Sequence, residues 1–490
     1  MVIGAPVKLF NSMGRRVVPF QPREAGRVGI YSCGPTVYAH QHLGNMRPYV
    51  FSDTLRRLLE WKGLQVRHVI NITDVGHVIG DGDVGEDKVE AAARRELLSV
   101  RQVTDRYTQI FLEDHKKLRI LPPEHRPKAS EYVPQMIEFA TVLEERGFAY
   151  RLPSGLYFDT AKSPGYGNLG LLTESDYRER IDNIDGKRAP ADFALWRADA
   201  PGERRVWRWD SPWGPGVPGW HLECSVMSIH LLGSHFDIHT GGVDHRQIHH
   251  VNEIAQSEAY LDDGRPWVDV WLHNEFLILG GQKISKSAGR MPVLDDLVAA
   301  GLHPLAFRHF LLAGHYRSQL DLTDDAVRGS AAALRRLLLR AVPFRPLPVV
   351  ETLAEARRQL TSEQALESLE RYDAALSDDL STPRALAELH AVLRDDAIDD
   401  KDKAVLLAAA EQTLALGLGD LAPEEVTTST RQLAVPADYV EEMIQAREEA
   451  RGAKDWARAD QIRDQLRQLG VVLVDTAEGT RWEVAERRDA

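Results

Sequence analysis

The chain has 490 residues, 43% of them hydrophobic and 27% charged, and a net charge of −13 from 60 basic and 73 acidic side chains. No apolar run approaches the ~20 residues a membrane helix needs, and the opening Met1-Val2-Ile3-Gly4-Ala5-Pro6 lacks the layout of an export signal, so a cytoplasmic enzyme of roughly three domains is expected. The acidic balance speaks against a histone-like nucleic-acid binder, but not against a large enzyme that meets RNA through local basic patches.

In chain order, the first predicted element is a strand over 28–33 that Gly34-Pro35 stops. A helix follows over 47–60, ending at Lys62-Gly63, and then a strand over 66–72. This βαβ start implies a parallel sheet with ligand sites beyond the carboxyl ends of its strands. The loop between strand and helix, with His42-Leu43-Gly44-Asn45 at the helix start, offers backbone N–H groups and a positive helix end to phosphate. Residues 74–87 read as a polar loop, because their Gly-Asp repeats lack EF-hand spacing. Helical patterns run to Arg146, with Gly147 as the stop, and a hairpin over 148–158 turns at Pro153-Ser154-Gly155. The stretch up to Pro218 is irregular and reads as an insertion between halves of a split sheet. Sheet periodicity returns at 235–239 and at 271–279, the latter read as one strand, and from Pro304 the chain is helical. Proline-rich 343–350 reads as a linker and 421–436 as a second break. A helical pair over 438–470, with Trp456, Ile462, Leu466 and Leu469 as its expected core, and a hairpin over 471–482 complete the order.

Three groups of residues carry potential chemistry. Cys33 and Cys224 are the two cysteines of the sequence; so far apart, they read either as inert buried thiols or as metal ligands. In His249-His250-Val251-Asn252-Glu253 the first and last residues stand at i and i+4 of a helix, a spacing that suits one metal and equally suits solvated helix partners. Lys283-Ile284-Ser285-Lys286-Ser287 lies between glycines just after an apolar strand. Its ammoniums can follow a phosphate as charge develops, although an exposed basic loop has the same composition.

Taken together, Cys33-Gly34-Pro35-Thr36-Val37-Tyr38, His42-Leu43-Gly44-Asn45, Asn71-Ile72-Thr73-Asp74, Gly219-Trp220-His221-Leu222-Glu223-Cys224, His249 to Glu253 and Lys283 to Ser287 stand in the order found in cysteinyl-tRNA synthetases, which the chain resembles over nearly its whole length. Asp192 to Trp196, Ser211 to Gly214, Asp378 to Pro383 and Lys454 to Arg463 carry the same resemblance. It implies an α/β fold of class I type: a split Rossmann-type parallel-sheet catalytic domain over 1–303 with an insertion at about 100–218, a helical stem over 304–342, a helical bundle over 351–422 and a C-terminal anticodon-binding domain over 436–490. The implied activity is that of a cysteine–tRNA ligase, which converts L-cysteine and ATP to cysteinyl-adenylate and then charges the 3′-terminal ribose of tRNA(Cys). By position, Cys33, Cys224, His249 and Glu253 would hold one Zn²⁺, and Mg²⁺ would accompany ATP. Pro35, Thr36, His42, Gly44, Asn45 and Lys286 would bind ATP, Thr73, Trp220 and His239 would line the cysteine pocket, and His42, Asn45, Lys283 and Lys286 would stabilise the reacting phosphate. A monomer is expected.

Zinc suits this substrate because cysteine and serine differ by one atom, which an ordinary pocket separates poorly. A soft thiol ionises on the metal, whereas a hydroxyl resists, so no editing domain is expected. Four protein ligands would fill a tetrahedral site, leaving two alternatives: Glu253 yields to substrate, or the metal becomes five-coordinate. The chain departs from the class pattern at Asn45, where a second histidine is usual, at Ile284 for Met, and at Val251 for Glu; Asn45 can hydrogen-bond a phosphate but adds no positive charge. The rivals are a ligase that joins activated cysteine to an amino sugar, against which the C-terminal module argues, and a noncatalytic tRNA-binding paralogue, against which the lysine loop and zinc set argue.

Overall fold

A computed structural model describes residues 4–76, 87–170, 186–200, 202, 205–279, 282–283, 291–427, 437–452, 455–468, 471–476 and 479–484. Strand β1 (Arg27–Ser32) buries Val28, Ile30, Tyr31 and Ser32, the near-continuous apolar run that a central parallel strand requires. Helix α1 (Leu43–Trp61) starts where the His42 side chain caps it by accepting the Asn45 backbone N–H, and the chain turns away at Gly63, whose φ of +81° suits glycine. Strand β2 (Gln65–Ile70) then pairs in parallel with β1, Ile30 opposite His68.

Much later come helix α2 (Trp220–Leu232), strand β3 (Phe236–Gly242), helix α3 (His249–Leu261) and strand β4 (Val268–Asn274). The sheet runs β4-β3-β1-β2, all parallel. From β1 the chain crosses to β2 on one side and, after the insertion, returns to β3 on the other. Strand order thus reverses between β1 and β3, and a ligand crevice belongs at their carboxyl ends. Within the insertion, Ala149–Leu152, Gly155–Phe158, Phe193–Ala198 and Gly216–Pro218 form a four-stranded antiparallel sheet, with the expected Pro153-Ser154 turn.

The expected single strand over 271–279 is two strands in two sheets. β4 ends at Asn274 and Leu277–Leu279 pairs instead with Leu320–Asp321. The break is held from outside: Glu275 N–H donates to the Tyr316 carbonyl at 2.9 Å and the Arg47 guanidinium to the Phe276 carbonyl at 2.6 Å. After Pro304 the chain is helical, through Pro304–Ala313, Asp324–Ala341, Glu363–Ser377, Thr382–Val392 and Asp400–Leu414. The proline-rich segment before Val350 does not hang free, because Arg345 donates to the carbonyls of Leu418, Gly417 and Leu421. No described helix is long and apolar enough to cross a membrane.

The chain divides into two compact units, one holding 1–298 and 302–427, the other 299–301 and 428–490. Within 428–490 the described elements of the second unit are Ala437–Gly452, Trp456–Gln468 and a hairpin of Val471–Thr476 with Gly479–Val484. Val440, Ile444, Ile462 and Leu466 form its core. Trp456, expected in that core, is instead 59% exposed: it opens its helix, ahead of the turn whose Ile462 and Leu466 face inward. The side chain of Leu469 lies outside the described residues.

Candidate functional site

At the reversal of strand order a cavity of about 480 Å³ is lined by Cys33, Cys224 and His249 together with Pro35, Thr36, His42, Gly44, Asn45, Thr73 and Trp220. Ten of the residues singled out in the sequence therefore share one wall system. Glu253 and His239 are fully buried behind it. Lys286 lies outside the described residues; Lys283 does so in its side chain, its backbone pairing as Gln282–Lys283 with the preceding strand. Both flanks of that lysine loop reach the site: Leu277 precedes it in the cavity wall and Met291 and Val293 follow it there. The Pro292 carbonyl accepts the Leu43 N–H at 2.9 Å, so the chain leaving the loop is fastened to the start of α1.

Cys33 stands where β1 ends, and Cys224 one turn into α2. His249 and Glu253 fall on one face of α3, as their i, i+4 spacing requires. Their ligand atoms all lie within 4.8 Å of one another and all four residues are buried. Glu253 Oε1 approaches His249 Nε2 to 2.6 Å yet has no hydrogen-bond partner. Two ligand atoms so close, without the alignment of a hydrogen bond, are aimed at a common point. A second group, Cys33, His239, His250 and Glu253, is equally close, but there the nitrogens are engaged: His239 Nε2 with Glu253 Oε2 at 2.7 Å, and His250 Nε2 with Cys33 at 3.2 Å and Nδ1 with His273 at 2.8 Å. The first group is thus the better candidate to hold a metal, and His239 and His250 of the second are placed to orient it.

Electrostatics agree. Burial works against charge on His249, but the Glu253 carboxylate and the Cys224 thiol beside it hold its pKa up to about 10. Burial likewise raises Glu253, and His249 and His239 overcome it to hold the carboxylate below its usual range. Burial, then the neighbouring Cys224, pushes the Cys33 thiol well up. For Cys224 burial is outweighed by hydrogen bonds from Cys33 and His249, which bring it down to about 6. Two sulfurs, one imidazole and one carboxylate around one buried point make a donor set that fits zinc.

The other lining residues belong to the signature loops. Trp220 opens α2 and stacks on the His249 ring at 4.2 Å, fixing the imidazole plane. Thr73 is held by backbone bonds on both sides, its N–H to the Pro35 carbonyl at 3.0 Å and its carbonyl from Val37 at 3.2 Å. Gly34 lies against the Asn71 backbone so closely that a Cβ there would sit 1.5 Å from the Asn71 carbonyl oxygen. Asn45 Nδ2 donates to Gln41 Oε1 at 2.9 Å. His239, expected in the cysteine pocket, is not among the residues that line the cavity: it packs flat on Trp271 and bonds to Glu253. Sequence reasoning assigned no role to Glu223, His221, His250 or His273. The first three sit inside quoted motifs, and the signal that singles them out is burial: each is an ionisable side chain under 7% exposed.

A parallel sheet with its cavity at the point of reversal, and a phosphate-ready loop opening the next helix, is a doubly wound nucleotide-binding architecture, the kind on which the catalytic domain of a class I aminoacyl-tRNA synthetase is built. Comparisons with known proteins agree. Residues 19–332 match the family described as tRNA synthetases class I (C) catalytic domain, and residues 437–482 match the cysteinyl-tRNA ligase anticodon binding domain. Over 98% of both chains the protein is 45% identical to a cysteine–tRNA ligase of Novosphingobium aromaticivorans, and over 96% of both chains 42% identical to that of Zymomonas mobilis. Among solved structures, a leucyl-tRNA synthetase of Agrobacterium radiobacter in a ternary complex superposes with a TM-score of 0.55 at 11% identity, covering 83% of this chain and 87% of that one. A methionyl-tRNA synthetase of Mycobacterium tuberculosis gives 0.52 at 15%, covering 82% and 92%; these two show the fold. The chain belongs to the cysteinyl-tRNA synthetase family.

Proposed function

We propose that this cysteine–tRNA ligase activates L-cysteine with Mg·ATP and passes it to tRNA(Cys), and that Cys33, Cys224, His249 and Glu253 select the substrate by its sulfur. The observation that carries the reading is the buried four-residue cluster, three members of which line the same cavity as the His42–Asn45 loop. A zinc ion bound there supplies a soft acceptor for a thiolate, which the hydroxyl of serine does not match.

With the thiol so placed, the cysteine carboxylate attacks the α-phosphorus of ATP in line, releasing pyrophosphate and leaving cysteinyl-adenylate. A hydroxyl of the terminal ribose of tRNA then attacks the acyl carbon and AMP departs. No side chain of the enzyme forms a bond in either step. Its work is positioning and the neutralisation of phosphate charge: Pro35, Thr36, Gly44 and the start of α1 cradle the nucleotide, His42 and Asn45 donate to phosphate, and Lys283 and Lys286 follow the departing pyrophosphate. Thr73 and Trp220 hold the amino acid, and His239 steadies Glu253. In this reading 1–303 is the catalytic domain, with its insertion at about 100–218, 304–342 the stem, 351–422 the bundle and 436–490 the anticodon reader, with the match over 437–482 favouring tRNA as the acceptor. The enzyme works in the cytoplasm as a monomer.

The test is pyrophosphate exchange with cysteine and with serine, run beside zinc content and charging of tRNA(Cys). Cysteine-dependent exchange with about one zinc per chain is expected; equal exchange with serine overturns the account of selection.

A further inference from the structure

Behind the cavity wall runs a short chain of hydrogen bonds whose direction is fixed at its start. The Gly34 backbone N–H, which can only donate, donates to Asn71 Oδ1 at 2.7 Å. That sets the Asn71 amide, so its Nδ2 faces Thr73 and donates to Oγ1 at 3.1 Å. Thr73 cannot return its own proton along that contact, and its O–H donates to Glu223 Oε2 at 2.9 Å. Asn71, Thr73 and Glu223 are all buried, and Asn71 and Thr73 line the cavity while Glu223 stands one hydroxyl behind it. The other carboxyl oxygen of Glu223, Oε1, is buried without a partner.

A hydroxyl has one proton and two lone pairs. On Thr73 the proton is spent on Glu223 and one lone pair on Asn71, leaving one lone pair. We infer that Glu223 is a positioning residue that fixes the polarity of the amino-acid subsite, presenting Thr73 Oγ1 to the cavity as an acceptor only, so that this wall receives the α-ammonium of the substrate and turns away its carboxylate. The inference rests on the cysteine-activating reading above. In cysteine two carbons separate nitrogen from sulfur, and Asn71 Oδ1 lies 3.9 Å from Cys224 Sγ, so a thiol at the cysteine pair brings its ammonium to this wall. The carboxylate is thereby left pointing toward the phosphate loop.

The test compares binding of cysteine with that of 3-mercaptopropionate, which keeps thiol and carboxylate and lacks the ammonium. Both are titrated by calorimetry into zinc-loaded wild type, Glu223→Met, Glu223→Gln and Thr73→Val, with zinc content measured on each. Methionine matches glutamate in length but offers only the weak acceptor of a thioether in place of a carboxylate oxygen, so the Thr73 proton is released to face the cavity. Glu223→Met and Thr73→Val should each lose about ten- to a hundredfold in cysteine affinity, as expected for a lost hydrogen bond to a charged group. Affinity for the ammonium-free acid should stay within about threefold, with zinc retained, and Glu223→Gln, which still offers Thr73 an acceptor, should restore most of the preference. In exchange assays the loss should fall on KM for cysteine and spare KM for ATP. Equal losses for the two ligands, loss of zinc in Glu223→Met, or an unchanged preference in Thr73→Val would overturn the inference, and Thr73→Val decides alone if Glu223→Met does not fold. Failure of the wild type itself to show cysteine-dependent exchange would instead sink the reading on which the inference stands.

Discussion

The two sides of the cavity are built on opposite plans. Around the cysteine pair, Cys33, Cys224, His249, Glu253, Thr73 and Glu223 are buried, drawn from four segments and braced by a further layer of His239, His250 and His273. Around the signature loop the wall is backbone and helix end, His42 is half-buried and Asn45 is exposed. The contrast matches the two recognition tasks proposed above. Telling sulfur from oxygen requires a rigid, dehydrated donor set, since the discrimination lies in the chemistry of one atom. A triphosphate presents ample charge but changes shape as it reacts, a need that backbone N–H groups and a helix end suit.

Breaking the buried side should cost most. Cys33→Ala or Cys224→Ala is expected to release the metal and reduce cysteine-dependent exchange roughly a thousandfold, since a structured ligand set is lost with its ion; zinc content and exchange rate check it, and a chelator applied to wild type should reproduce it. On the other side, Lys286→Ala should slow exchange by about a hundredfold or more while zinc content and cysteine affinity hold. A variant that lost cysteine binding as well would abolish the distinction between the two sides. His239→Leu removes the bond that steadies Glu253 and leaves all four ligands in place, so zinc affinity, read by competition with a chelating dye, should fall about ten- to a hundredfold.

Acid should reach the buried side through its foundations. Burial holds His68, hydrogen-bonded to Ser32 just before Cys33, at about 3, with Arg56 adding to the shift, and burial with Arg126 does the same for His115. Both are depressed below the ordinary histidine value, so the unfolded chain binds the extra protons. Their stabilisation is complete above pH 6.5 and is lost progressively as pH falls from there toward 3, by roughly 2 kcal/mol per imidazole at pH 5. Melting temperature between pH 7.5 and 5 measures it, and His68→Asn should flatten the slope.

Much of this was legible in the sequence, and the reasons it was not complete are physical. The β1–loop–α1 unit could be read because strand, stop and helix pattern are local. The metal set could not be derived from spacing, because Cys33, Cys224 and the His249–Glu253 pair converge only through sheet order, and only the resemblance joined them. The break at Glu275 was invisible because Arg47 and Tyr316 impose it from far along the chain. Trp456 misled because a tryptophan at a helix start has the composition of a core residue and the position of a surface one. Glu223 hid between two louder neighbours, His221 and Cys224; what marks it is a partner 150 residues away.

Gly34 has a consequence for how this enzyme can change. Cysteinyl-adenylate is a molecule of fixed length, with the thiol at one end and the nucleotide at the other. The backbone crossing at Gly34, where any side chain would collide with the Asn71 carbonyl at 1.5 Å, keeps the strand that ends at Cys33 in register with the Asn71–Thr73 segment that follows β2. A longer amino acid could not be accommodated by shifting one half of the site against the other, because the gauge between them is set by main chain. A new substrate would have to be fitted within a spacing already cut for cysteine.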